Sequence, residues 1–273
     1  MSSPVDPDAF NAFEAAGWHE RAITYHRTLL PLTRLIAEPL LDAADIGSGM
    51  RVLDVGSGPG YVAADAAARA AIAVGVDVAP AMVALARTLH PQVEFVHGNA
   101  EDLPFTDDSF DAVIANFAIP HLGRPDRAVA QFARVLAPGG RMALSTWDVP
   151  AASRMPGVFY DAVQEVGAAP PPDLPTGPPF YRFADEADFT QLLRDAGLAD
   201  AAVSTVTFNY HFVGDLFDIL VDGTVRARAL VVDQPDATQA RVRAVLERLI
   251  ADYAVDDGFD FPISVKIAHA TAK

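Results

Sequence analysis

The chain has 273 residues, no cysteine, and 36 acidic against 20 basic side chains, giving a formal charge of −16. That excess of negative charge repels phosphate backbones and leaves no polybasic stripe, so neither nucleic acid nor a membrane surface is expected as a partner. Without cysteine there is no disulfide, thiolate nucleophile or cysteine-held metal, and the length suits one large α/β domain carrying insertions or a cap.

The opening MSSPVDPDAFNAFEAAGWHE lacks a basic leader and an apolar core. No later stretch approaches about twenty uninterrupted apolar residues, so a soluble, cytoplasmic protein is expected. Residues 10–44 read as helical, with Phe13, Ala16, Ile23, Leu29, Leu32, Leu35, Ile36 and Leu40 at mixed three and four spacings and a break or kink at Pro31. Residues 1–44 are therefore expected to form an N-terminal helical lid ahead of the main sheet.

From Arg51 the pattern changes to short apolar strands alternating with helical segments, as in a parallel sheet covered on both faces. Strands are expected near 51–55, 72–77, 93–97, 110–116 and 140–147, and helices at about 60–70, 80–89 and 125–136, the last closed by "APGG". This makes 45–147 a doubly wound core. Beyond Trp147 the regularity fails, and the proline-dense "AAPPPDLPTGPPFYRF" marks 148–183 as a surface loop or lid. A helix at 184–196, a strand at 201–213 and a mostly helical block from 215 to about 254 follow. The chain closes on "FDFPISVKIAHATAK", where Pro262 precedes an alternating run near 262–270 that suits an outer strand. Residues 148–273 thus complete the sheet, with cap or substrate insertions at 148–183 and 215–258.

"RVLDVGSGPGY", residues 51–61, joins the first strand to the first core helix with Gly56, Gly58 and Gly60 at alternate positions. Such a turn lets a ligand approach the main chain, while the helix N-terminus offers N–H donors to an anion. A dinucleotide fingerprint, G-x-G-x-x-G/A, would need a small residue where the bulky Tyr61 stands.

The alternative, Asp54-x-Gly56-x-Gly58-x-Gly60, resembles the first motif of class I S-adenosylmethionine-dependent methyltransferases, whose loop wraps the methionine part of the cofactor. "AIAVGVDVAP" then places Asp77 where the family binds both ribose hydroxyls. "VHGNAEDLPF" resembles the adenine-side motif, with Asn99, Ala100 and Glu101 flanking the purine. Aspartate is commoner at the position of Asn99, but an asparagine oxygen can also accept from the adenine amino group. "SFDAVIANFAIPHL" and "VLAPGGRMALSTW" resemble the fourth- and fifth-strand motifs, so the likeness covers about 45–147.

Within the family the chain is most similar to small-molecule enzymes related to those of ubiquinone and menaquinone biosynthesis. The resemblance implies a Rossmann-like doubly wound α/β sheet of seven strands, mostly parallel with an antiparallel last strand, plus helical cap elements. It also implies S-adenosylmethionine as cofactor, held by Tyr25, Asp54, Gly56, Ser57, Gly58, Gly60, Asp77, Val78, Met82, Asn99, Ala100, Glu101 and Asn116. The partner is then a small-molecule acceptor, in a monomer or homodimer.

For an acceptor hydroxyl, His121 after the fourth strand is the first candidate base, the alternative being a cap or packing role at the strand end. "AAGWHERAITYHR" sets Trp18, His19, Tyr25 and His26 on a helix over the cofactor cleft; His19 is a second catalytic candidate. The alternative is core packing of Trp18 and exposure of both histidines. Asp54 has a structural alternative too, tying the following loop through backbone N–H groups. "VFY", "PPFYRF" and "FNYHFVGDLFDIL" either line an apolar acceptor pocket or form core for the added helices. No H-E-x-x-H or comparable spacing calls for a metal. Transfer to oxygen or carbon is preferred over nitrogen, since no Asn-Pro-Pro-Tyr quartet follows the fourth strand. Two alternatives remain: a protein that binds the same cofactor for a non-methylating reaction such as a cyclisation, and a nicotinamide-dependent reductase, which Tyr61 and the lack of a Tyr-x-x-x-Lys pair disfavour.

Overall fold

A computed structural model describes residues 6–273. The first five residues of the expected 1–44 lid lie outside the described residues. Helix α1 (Pro7–Thr28) starts where the Asp6 carboxylate accepts from the N–H groups of Asp8 (3.2 Å) and Ala9 (3.1 Å), with Pro7 in its first turn. The chain breaks at Leu29, just ahead of Pro31, and continues as α2 (Leu30–Thr33), a 3-10 turn and α3 (Ala37–Ala43). The break expected at Pro31 is present, because a proline ring clashes with the preceding helical turn.

The core then alternates as the apolar runs predict: β1 (Arg51–Val55), α4 (Tyr61–Ala68), β2 (Ile72–Asp77), α5 (Pro80–Leu89), β3 (Glu94–His97), β4 (Phe110–Ala115), α6 (Pro125–Val135) and β5 (Leu136–Trp147). After these come α7 (Arg154–Val166), α8 (Glu186–Asp195), β6 (Ala199–Phe212), α9 (Leu216–Gly223), α10 (Val225–Val231), α11 (Asp236–Ile250), β7 (Ala254–Val255) and β8 (Gly258–Thr271). The main sheet runs β3-β2-β1-β4-β5-β8-β6, with β7 pairing only to β8. Strands β1 to β5 are mutually parallel, whereas β8 is antiparallel to both β5 and β6. Alternate residues of β1 serve opposite faces: Val52 packs in the cluster with Val62, Ala63 and Val83, and Leu53 and Val55 in the one with Val129, Phe132 and Phe189. The strand order reverses between β1 and β4, and a doubly wound sheet opens a crevice beyond its strand ends at such a point.

Three expectations are corrected. The fifth strand starts at Leu136 rather than 140, because "APGG" forms an irregularity within it; Gly139 takes φ +78° and its N–H donates to Ala272 at 3.1 Å. The expected loop at 148–183 begins with a buried helix, α7, on the spacing of Met155, Val158, Phe159, Ala162 and Val163; Pro156 falls in its first turn, where no intrahelical N–H is lost. Pro262 lies in β8, which is interior and not an outer strand. Pairing with β5 stops at Val265, so at Pro262 only β6 flanks β8, and the missing N–H costs no ladder bond on the open side.

Candidate active site

Gly56, Gly58 and Gly60 all adopt left-handed backbone, at φ +68°, +51° and +84°. A side chain at Gly56 would meet Ala118 at 2.6 Å, and one at Gly60 would run into the Phe95 ring, so these two are bare for packing. Above Gly58 the space is open until Tyr25 Cε1 at 4.0 Å. The Gly58 N–H donates to Asp77 Oδ2 and the Ala79 N–H to Asp77 Oδ1, both at 2.8 Å, which fixes the carboxylate at the end of β2. Burial raises the Asp77 pKa, against the opposing bonds from Ala79 and Gly58. An open strip of main chain beside a fixed carboxylate fits the amino-acid end and the ribose of an adenosyl cofactor.

One cleft brings together Tyr25, Gly56, Gly58, Asp77, Val78, Met82, Asn99, Ala100, Asn116 and His121 of the expected site. Five expected residues stand apart from its lining. Asp54 is 1% exposed and accepts from the Ala63 N–H at 3.0 Å, holding the start of α4, the structural alternative. Ser57 is buried, and Gly60 caps α4. Glu101 accepts from Asn11 Nδ2 (2.7 Å) and from the Arg124 N–H (2.8 Å), which moors α1 to the entry of α6. His19 is exposed, and its Nδ1 accepts from the Ala81 N–H at 3.2 Å, so it seats α1 on the start of α5. His19 is not among the residues that line the cleft.

Polar contacts also organise the residues in the cleft. The oxygen of Asn99 accepts from the Glu101 N–H at 2.9 Å. Asn116 donates to the Thr33 carbonyl at 3.0 Å and accepts from Ser145 Oγ at 2.6 Å, linking α2 to the β4–β5 edge. The Phe117 N–H also donates to Ser145 Oγ, at 2.9 Å, and holds Phe117 at φ +54°. Aromatic residues seldom adopt that backbone, and such outliers concentrate at functional sites. The ring of Phe117 thereby lies 4.3 Å from that of Trp147.

Beyond these residues the cleft is walled by Leu29, Phe117, Trp147, Phe159, Tyr160, Phe180 and Leu220. "VFY", "PPFYRF" and the helical end of "FNYHFVGDLFDIL" thus contribute to the pocket, whereas Phe208, Tyr210 and Phe212 lie in β6 and outside its lining. Trp18 is half-buried against the cleft, its ring 5.4 Å from Tyr25 and 5.1 Å from His121 in edge-to-face contact.

Sequence reasoning missed Glu14 and Arg226. Glu14, 2% exposed, receives three donors: Trp18 Nε1 and His121 Nδ1, each 3.0 Å from Oε2, and Arg226 Nε, 2.9 Å from Oε1. Arg226 Nη2 also donates to the Pro120 carbonyl at 2.7 Å, and its guanidinium lies over the rings of Phe10 and Phe180. Burial opposes ionisation of Glu14, but His121 and Arg226 outweigh it and hold its carboxyl below the ordinary range. The available signal was Glu14 on the same face as Phe10, Gly17 and Trp18, at helical spacing.

Residues 53–144 match the family model described as "Methyltransferase domain". The chain is 39% identical over 106 residues to a demethylmenaquinone methyltransferase of Clavibacter sepedonicus, covering 38% of this chain and 43% of that protein. It is 35% identical over 176 residues to the ubiquinone/menaquinone biosynthesis C-methyltransferase UbiE of Rhodopseudomonas palustris strain TIE-1, covering 55% and 66%. It spans less than half the length of the first curated relatives it matches. A solved structure from Thermotoga maritima, a SAM-dependent methyltransferase described as a possible histamine N-methyltransferase, has the same fold, with a TM-score of 0.58 at 19% identity over 95% of this chain and all of that one.

Fold, glycine loop and family match define the class: the chain carries a class I S-adenosylmethionine-dependent methyltransferase domain, with S-adenosylmethionine as cofactor. Within that class it is similar to the methyltransferases of ubiquinone and menaquinone biosynthesis.

Proposed function

We propose that the protein methylates a small, largely apolar acceptor on a hydroxyl oxygen, or on a carbon activated by ionisation of a neighbouring hydroxyl. A continuous cleft supports this reading, because the open main chain at Gly58 and the carboxylate of Asp77 line the same space as His121 and the aromatic wall. The cofactor supplies an electrophilic methyl group on a sulfonium. Gly58, Asp77 and Asn99 would hold it, while Tyr25 and Trp18 on α1 cover it and exclude water.

Displacement at a methyl carbon asks mainly for alignment, so Phe117, Trp147, Phe159 and Phe180 act by fixing a flat apolar acceptor. When bound, the cofactor would supply the methyl group to the acceptor oxygen and keep the carbon–sulfur electron pair, so this chain has to supply a base for the hydroxyl proton. Burial pushes the phenols of Tyr25 and Tyr160 up to about 12, so both stay protonated. The Glu14 carboxylate is occupied by three donors. Among the described residues His121 Nε2 has no hydrogen-bond partner, and the lone pair of a neutral imidazole can accept a proton, so His121 is the base in this reading.

The test is calorimetric titration with S-adenosylhomocysteine, with NADH and NADPH as controls, followed by incubation with methyl-labelled S-adenosylmethionine and a panel of phenols and polycyclic hydroxy compounds. Binding of S-adenosylhomocysteine together with label in an O- or C-methyl product supports the reading. Binding without transfer to any acceptor favours a non-methylating use of the cofactor. Binding of a nicotinamide alone overturns the proposal.

A further inference from the structure

Three separated elements meet at Glu14: α1, which carries it together with Trp18; the 3-10 turn Ile119–His121 after β4; and α10, which carries Arg226. All three side chains that touch its carboxylate present N–H donors. Tryptophan and arginine can only donate, whereas histidine donates from one ring nitrogen and accepts at the other, according to tautomer. A carboxylate at position 14 accepts from all three, so His121, when neutral, must carry its proton on Nδ1. That leaves the lone pair on Nε2 of a ring that lines the cleft.

We infer that Glu14 is the positioning residue of the base: it selects the His121 tautomer that can accept a proton from the acceptor, and it does so only while α1 lies across the cleft. Base positioning and cover therefore depend on the same helix. Arg226 anchors the arrangement from the C-terminal insertion, since its guanidinium joins Glu14 to the Pro120 carbonyl beside His121. The groups facing the pair are Trp18 from α1, Arg226 from α10, and Tyr160 and Phe180 from the aromatic wall. The buried carboxylate and guanidinium offset one another, so the chamber suits an uncharged hydroxy compound better than a carboxylate or an amine cation. This inference rests on the proposed methyl transfer only for its consequence, not for its geometry.

Glu14→Gln supplies the decisive contrast, because the variant is isosteric yet carries two N–H donors of its own. Facing three donors, the amide meets only one neighbour able to turn into an acceptor, which is His121. With its amide oxygen kept for Arg226, the variant presents its NH2 at the Oε2 position, gives up the Trp18 bond and donates to His121, which is then expected in the Nε2–H form with no lone pair left there to act as a base.

The experiment uses the full chain labelled with 15N-histidine, and long-range 15N–1H correlation spectra recorded with and without S-adenosylhomocysteine. The His121 ring is assigned by its disappearance in His121→Asn. Wild type is expected in the Nδ1–H form and Glu14→Gln in the Nε2–H form. Trp18→Phe, which removes a donor to the same oxygen while leaving the imidazole pair intact, is expected to keep Nδ1–H. S-adenosylhomocysteine affinity should stay within about twofold in Glu14→Gln, while the single-turnover rate of methyl transfer falls by about 10²-fold or more, as for loss of a base. An Nε2–H wild type, or one tautomer shared by wild type and Glu14→Gln, overturns the inference. Should Glu14→Gln not fold, Glu14→Asp, one methylene shorter, is expected to give a mixture of tautomers, and a purely Nδ1–H ring there overturns the inference as well. Failure of wild type to bind S-adenosylhomocysteine would sink the methyl-transfer reading and leave the tautomer result standing.

Discussion

Glu14 and His121 lie 107 positions apart in sequence and share a hydrogen bond of 3.0 Å inside the cleft. The bond joins the cover of the site to its candidate base, so substitutions on either side should separate cofactor binding from chemistry. Replacing His121 by Asn keeps a polar group of similar reach without a titratable nitrogen. Its methyl-transfer rate should fall by about 10² to 10⁴-fold, with S-adenosylhomocysteine affinity changed by less than about twofold in calorimetry. A comparable loss of both would assign His121 to packing instead.

Asp77 anchors the glycine loop through Gly58, and in the proposed reading its carboxylate also accepts from the ribose hydroxyls of the cofactor. Asp77→Ala should weaken S-adenosylhomocysteine binding by at least about tenfold, since each charge-assisted hydrogen bond is worth about 1.5–3 kcal/mol. Gly58→Val should do the same by filling the open strip over which Tyr25 lies and by straining a backbone at φ +51°. Thermal melting separates this from unfolding: both variants should melt as one transition while failing to bind.

Asp54 gives a pH signature. Burial, reinforced by the charges of Asp77 and Asp65 and opposed by the Ala63 N–H, pushes its carboxyl up to about 7 in the folded protein. An unfolded aspartate titrates near 3.9, so between about 4 and 7 the native state holds a proton that the unfolded state has lost. The contribution of this group to stability is therefore greatest at low pH and declines as pH rises to about 7. Asp54→Asn, which can still accept from Ala63, should remove that decline and gain on wild type between pH 5 and pH 8 by up to about 3 kcal/mol, roughly two units at 1.36 kcal/mol per unit. Urea unfolding midpoints at pH 5, 6.5 and 8 would measure it; equal differences at all three would refute it.

Gly17 sets the approach of α1 to α10: a methyl group there would come within 2.5 Å of Val225 Cγ1. Gly17→Ala should cost about 1–3 kcal/mol by overpacking and weaken cofactor affinity by moving Glu14 and Trp18 away from the cleft. Pairing it with Val225→Ala should restore much of both. Equal damage in the single and double variants would mean that the spacing of these helices is not what matters.

The glycine loop, Asp77 and the alternating core were legible because each is written in a few adjacent residues. A strand, a left-handed turn and a helix start need no distant partner to be recognised. The meeting of Glu14, His121 and Arg226 had no local signature: three residues on three elements become neighbours only after the sheet has closed. His19 misled for a related reason, since a histidine on the covering helix looks the same in sequence whether it faces the cleft or seats on α5. α7 hid behind Pro156 and Gly157, which mark a loop in isolation and are tolerated in a first helical turn. Pro262 read as an edge residue because the staggered lengths of β5 and β8 that accommodate it are a property of the whole sheet.

The moorings of α1 bear on turnover. Near its start, Asn11 bridges Glu101 and the Gly123 N–H, and Arg124 pairs with Asp8 at 2.7 Å; near its end, Thr24 bonds the Asp222 carbonyl at 2.8 Å and Tyr25 bonds Thr33 at 2.9 Å. A helix fastened along its whole length must let go before spent cofactor can leave. The residence time of S-adenosylhomocysteine, and not the speed of the displacement, is then expected to set the steady rate, with a first turnover faster than those after it.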